Sequence, residues 1–111
     1  MPPPHRPSAA SRRALRKLGG DISEARRRRR LPMELVADRA FTSRQSVQRV
    51  EEGDPSVSIG IYAAVLKALG LLDNLADLAD PTRDAVGQSL ASGDLPKRVR
   101  LKKPPAVTSD G

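Results

Sequence analysis

The chain has 111 residues, a formal net charge of +7, no cysteine, one phenylalanine and one tyrosine. Disulfide and thiol chemistry are excluded, and no apolar run approaches the ~20 residues that a bilayer span needs. One domain is the natural expectation, and a small core of Leu, Val, Ile and Ala would be marginal alone, so dimerisation would help it.

The charge is segregated. Nine basic and two acidic residues from Arg12 to Arg30 give +7, and five basic residues from Lys97 to Lys103 give +5. Between them, Leu31 to Pro96 carries five basic and ten acidic residues, hence −5. One face toward a nucleic acid and another toward something else fits this layout better than nonspecific polyanion binding. Residues 1–10 are proline-rich and are expected to be disordered, 11–90 to fold, and 91–111 to form a basic flexible tail. The N-terminus lacks a secretory apolar stretch, so a cytoplasmic location is expected.

Helix one is expected from about Ser11 to Arg30, burying Leu15, Leu18, Ile22 and Ala25 at helical spacing. Gly19-Gly20 weakens it by roughly 1 kcal/mol per glycine and invites a fray or kink. The run Arg26 to Arg30 circles its last turn, so at least one arginine must approach the core and need a carboxylate. Pro32 suits the first turn of helix two, which runs to about Ala40 with Val36, Ala37 and Ala40 inward. The turn Phe41-Thr42 leads into a third helix. There Ser43 is a good N-cap, Val47 and Val50 share the buried side, and Gly53 ends the helix.

The outer face of that third helix carries Arg44, Gln45, Gln48 and Arg49. Arginine pairs bidentately with guanine and glutamine with adenine in the major groove, so this face suits base reading. Ser43 and Ser46 suit phosphate, which sets register rather than sequence. Arg27 and Arg30 suit the DNA backbone. Beyond the Gly53-Asp54-Pro55 turn, Ser58 caps a fourth helix whose buried face is Tyr62, Val65, Leu66 and Leu69, ended by Gly70. Asp73 is expected to cap a fifth helix bearing Leu75 and Leu78, stopped by Asp80-Pro81. A last helical turn is expected from about Arg83 to Leu90, closed by Gly93. No strand pattern and no repeat is visible. Leu72, Leu75 and Leu78 exceed what the remaining core can hold, so some are expected to reach a second copy.

Three stretches, Leu31-Pro32-Met33-Glu34-Leu35-Val36-Ala37-Asp38-Arg39-Ala40, Ser43 to Gly53, and Ala68-Leu69-Gly70-Leu71, resemble the Xre (Cro/repressor-type) helix-turn-helix family. The resemblance covers roughly Leu18 to Leu71. It implies an all-α, compact five-helix domain with a tight turn between the second and third helices. It also implies that Arg26 of helix one pairs with Glu51 at the end of the reading helix, as a structural lock. Two positions depart from the family pattern. Phe41 stands where the turn usually has glycine, at a cost of about 1–2 kcal/mol if the backbone is left-handed. Either the turn is redrawn or Phe41 has a compensating apolar contact. Met33 stands where a glutamine often meets phosphate, which leaves only its backbone N–H for that contact.

Gly53 to Leu66, Ala79-Asp80-Pro81 and the tail Leu95-Pro96-Lys97-Arg98-Val99-Arg100 resemble, more narrowly, the small HipB-type antitoxins encoded beside HipA-type kinases. That resemblance implies a homodimeric repressor of its own operon that also holds a kinase toxin, associated with the nucleoid through DNA. Two alternatives keep the same domain: a stand-alone Xre regulator, or a protein whose main work is clamping a kinase. An RNA-binding role is weakened by the missing aromatic stacking residues. No enzyme, metal or cofactor is expected. The lone histidine, His5, lies in the proline-rich end, and no phosphate loop or zinc-ligand spacing appears.

Overall fold

The computed structural model describes residues 5–90 and 95–101, and among these the regular elements are helices without strands. Helix α1 (Ala9–Arg28) starts two residues before Ser11, because Ser8 supplies the cap. The Ser11 N–H donates to Ser8 Oγ at 3.1 Å, satisfying a first-turn donor that the helix cannot. Ala9 and Ala10, expected in a disordered end, are therefore helical.

Gly19-Gly20 neither frays nor breaks α1. Gly19 is buried under the end of the third helix, and a Cβ there would lie 2.6 Å from the carbonyl oxygens of Val50 and Glu51 and from the Gly53 nitrogen. The missing side chain is what lets two backbones approach, and that contact offsets the poor helix propensity.

Helices α2 (Met33–Arg39), α3 (Arg44–Glu51), α4 (Ile59–Ala68) and α5 (Leu72–Ala76) follow. The core is one cluster: Ile22 from α1; Val36, Ala37 and the adjoining Ala40; Val47 and Val50 from α3; Tyr62, Val65, Leu66 and the adjoining Leu69. Helix α3 packs against α1, α2 and α4, so its position is fixed from three sides. Leu15, Leu18 and Ala25 of the expected α1 stripe are only half-buried.

Helices α1 to α4 all end in the same way. The residue after each C-cap is left-handed: Arg30 and Phe41 at φ 54°, Gly53 at 72° and Gly70 at 78°. In each, two N–H groups fold back on the last turn. At Phe41, its own N–H donates to the Asp38 carbonyl at 3.2 Å and the Thr42 N–H to the Ala37 carbonyl at 2.9 Å. This double bond pair satisfies carbonyls that would otherwise be orphaned, and glycine is its usual occupant. Neither expected escape for Phe41 is realised. The turn is not redrawn, and the side chain is 96% exposed, so among the described residues no apolar contact repays the backbone strain.

Ser58 caps α4, its Oγ accepting the Ile61 N–H at 3.2 Å. Helix α5 begins at Leu72 rather than from a cap at Asp73. Leu71 occupies the cap position without a side-chain bond, and Asp73 lies in the first turn, where a negative charge suits the dipole. The chain divides into two compact units, Met1–Leu78 and Ala79–Gly111. In the second unit Asp80 caps a 3-10 turn (Pro81–Arg83), helix α6 (Ala85–Leu90) follows, and residues 95–101 have no helix or strand. Gly93 and the expected disorder of residues 1–4, 91–94 and 102–111 lie outside the described residues. No helix among the described residues is long and apolar enough to cross a membrane.

Candidate nucleic-acid interface

Helix α3 is held at both ends and along one side. At its start Ser43 is extended, and its Oγ accepts the Ser46 N–H at 3.0 Å and donates to Ser46 Oγ at 3.0 Å. Along its inner side Val47 and Val50 are fully buried. At its end Glu51 is clamped by Arg26: Nε donates to Oε2 at 2.6 Å and Nη2 to Oε1 at 3.1 Å. A third bond from Arg26 Nη1 reaches the Leu31 carbonyl at 2.9 Å. The two side chains are only 13% and 6% exposed, so this bidentate pair lies inside the protein and joins α1, α3 and the α1–α2 link. The bond to Glu51 raises the Arg26 pKa and keeps the guanidinium charged.

With the helix rotation fixed, Arg44, Gln45, Gln48 and Arg49 all face outward and are exposed. Their states differ. Arg44 Nε lies 3.0 Å from Glu34 Oε1 of α2, and both side chains are more than half exposed. An exposed pair of this kind is worth about 0–1 kcal/mol, weak enough to yield to a better anion but sufficient to orient the arginine. Gln48 Nε2 donates to Glu52 Oε2 at 3.4 Å. Among the described residues Gln45 and Arg49 have no side-chain bond, so they are free to take a ligand.

Three further expected contributors lie outside α3. Arg27 Nε donates to Ser23 Oγ at 3.3 Å, along α1. Arg30 is exposed in its left-handed cap position. Met33 is half-buried against the core, so only its first-turn backbone N–H is suited to an anion. Leu72 and Leu78 are 37% and 75% exposed, whereas Leu75 packs partly on the core.

Sequence reasoning did not assign Glu34 or Glu52 to the site. The Gln48–Glu52 contact has i, i+4 spacing and was legible. The Arg44–Glu34 contact depends on how α2 and α3 cross, which no spacing encodes. Also unassigned was the bond from the Tyr62 hydroxyl to the Asp54 carbonyl, 2.8 Å, which ties α4 to the turn leaving α3. In that turn the Asp54 carboxylate accepts from the Ser56 hydroxyl and N–H at 2.7 and 2.8 Å, and these bonds hold its pKa below the ordinary carboxylate value.

No protein-family model, curated protein or solved structure matches this chain.

Proposed function

We propose that the chain is a sequence-specific double-stranded DNA-binding repressor of the Cro/repressor helix-turn-helix type, and that α3 is its reading helix. One observation carries the reading: Arg44, Gln45, Gln48 and Arg49, side chains suited to base edges, are all exposed on a helix whose opposite side and both ends are locked to the protein. A rigid element with its rotamer-rich side chains open to solvent is what groove reading demands. Arg44 and Gln45 reach base edges first, Gln48 shares that role one turn on, and Arg49 takes a base or a phosphate. Ser43, Ser46, Arg27, Arg30 and the Met33 N–H meet phosphate and set register. Glu34 holds Arg44 until guanine replaces it. Two copies place two reading helices about one helical turn apart on the duplex, and Leu72 and Leu78 are available for their contact. The protein acts in the cytoplasm, on the nucleoid.

The narrower reading, a HipB-type antitoxin holding a HipA-type kinase, rests on the sequence resemblance alone. Co-purification of a kinase with the full chain would favour it over a stand-alone regulator. The test of the DNA reading itself is selection from random duplexes at a stated salt concentration. One recurring motif should emerge, and Arg44→Ala should lose preference at one base position at a cost of about 1–3 kcal/mol. Equal binding to every duplex, or to none at low salt, would refute it.

A further inference from the structure

Most cations of α1 are already bonded. Lys17 holds Asp21, Arg26 holds Glu51, Arg28 holds Glu24, and Arg27 and Arg29 bond Ser23 Oγ and the Ala25 carbonyl. Arg12 and Arg16 have neither an ion pair nor a side-chain hydrogen bond among the described residues. Both are exposed, and their i, i+4 spacing puts them on one side of the helix. That side borders an open hollow completed by Glu52, Gly53, Asp54 and Pro55, the turn leaving α3.

Backbone contact fixes this part of α1 against the end of α3. Gly53 is buried and left-handed, and a Cβ there would lie 2.6 Å from the Arg16 nitrogen and would also meet the Leu15 carbonyl. The carboxylates of the hollow are engaged with their own neighbours. Glu52 accepts from Gln48 at 3.4 Å, and Asp54 accepts from the Ser56 hydroxyl and N–H at 2.7 and 2.8 Å. Each guanidinium therefore keeps its planar fork of N–H donors open, and that fork matches the oxygens of a phosphate.

The place of the hollow says which phosphate. Gln48 and Glu52 stand one helical turn apart, about 5.4 Å, so the hollow begins one turn beyond a reading side chain. A reading helix meets base edges with its N-terminal residues, and the groove is only about 12 Å wide, so its last turn lies at the sugar-phosphate rim. We infer that Arg12 and Arg16 together bind a backbone phosphate at that rim. The inference rests on α3 being the reading helix. It also accounts for how an acidic turn can approach DNA. Arg12, Arg16 and Arg49, whose charge acts on Asp54, outnumber Glu52 and Asp54 at this end of α3. The contact is blind to sequence, so it adds affinity and register to what α3 reads.

The test titrates the full chain with its selected duplex, single phosphates being replaced in turn by uncharged methylphosphonates. For the wild type, one backbone position beside the read bases should lose about five- to tenfold in affinity through this contact. The double variant Arg12→Ala, Arg16→Ala should bind the unmodified duplex more weakly by a similar factor and no longer respond at that position. Its slope of log affinity against log salt should fall by about 0.9, with base preference intact. Arg13→Ala, at an exposed position that does not line the hollow, should change none of these. A wild type with no preferred duplex would refute the reading of α3 and this inference with it. A wild type that reads its duplex, beside a double variant of unchanged affinity and methylphosphonate response, would overturn the inference alone. So would a loss spread over every phosphate, a changed base preference, or an equal loss in Arg13→Ala.

Discussion

Burying an arginine and a glutamate strips both of water, and the loss is recovered only when the geometry is good and the spare donors are bonded. Arg26 and Glu51 meet both conditions through two mutual bonds and the Leu31 carbonyl. Glu51→Ala leaves a guanidinium inside the protein with only that carbonyl, and should cost about 3–5 kcal/mol. Replacing both partners by Met and Leu should cost far less, and urea denaturation of the single and double variants separates these outcomes. Phe41 makes the opposite prediction. Its left-handed backbone costs about 1–2 kcal/mol, and glycine would recover this less about 0.5–1 kcal/mol of added unfolded-state entropy. Phe41→Gly should therefore not lower the unfolding free energy and should raise it by up to about 1.5 kcal/mol, read from the same denaturation curves.

At the scale of elements, α3 is seated by a glycine of α1. Gly19→Ala forces α3 away from α1 and should cost about 1–3 kcal/mol, by overpacking against backbone that cannot give. Gly20→Ala meets nothing within 4 Å and should gain about 1 kcal/mol from helix propensity. The bond from Tyr62 to Asp54 gives a pH signature. Burial, and then the Asp54 charge, raise the Tyr62 pKa above its ordinary value. The neutral phenol is thus favoured in the fold, so its contribution is full below pH ~10 and is lost as pH rises through the raised folded value. Relative to Tyr62→Phe, the wild type should be about 1 kcal/mol more stable at pH 8, an advantage that vanishes in strong alkali. The helices, their inward faces and the Ser43, Ser58 and Gly53 punctuation were legible because caps and 3.6-residue spacing are local. Arg30 and Phe41 as left-handed caps were not, since the sequence signal for such a cap is glycine. Gly19 looked like a defect because its value lies in a long-range approach. The Arg44–Glu34 contact within the candidate site was hidden for the same reason, whereas the outward set on α3 followed from Val47 and Val50 alone.

Across the whole molecule, charge separates what the fold brings together. The basic run of α1 and the stretch Lys97 to Lys103 flank a segment whose net charge is −5, so on the DNA-binding reading attraction to a duplex should be directional and strongly salt-dependent. Each phosphate contact should steepen the fall of log affinity with log salt by about 0.9. Arg27→Ala should lower that slope by about one while leaving sequence preference intact, which titrations at several salt concentrations would register. Base reading by α3 remains the claim on which the functional proposal turns, and Gln45 is its cleanest probe, being exposed and without a side-chain bond among the described residues. The direct measurement is competition of a selected duplex against its single-base variants, for wild type and Gln45→Ala at one salt concentration. Gln45→Ala should bind the selected duplex about 1–3 kcal/mol more weakly and stop distinguishing bases at one position. Undiminished discrimination at every position, or a uniform loss on all duplexes, would contradict it.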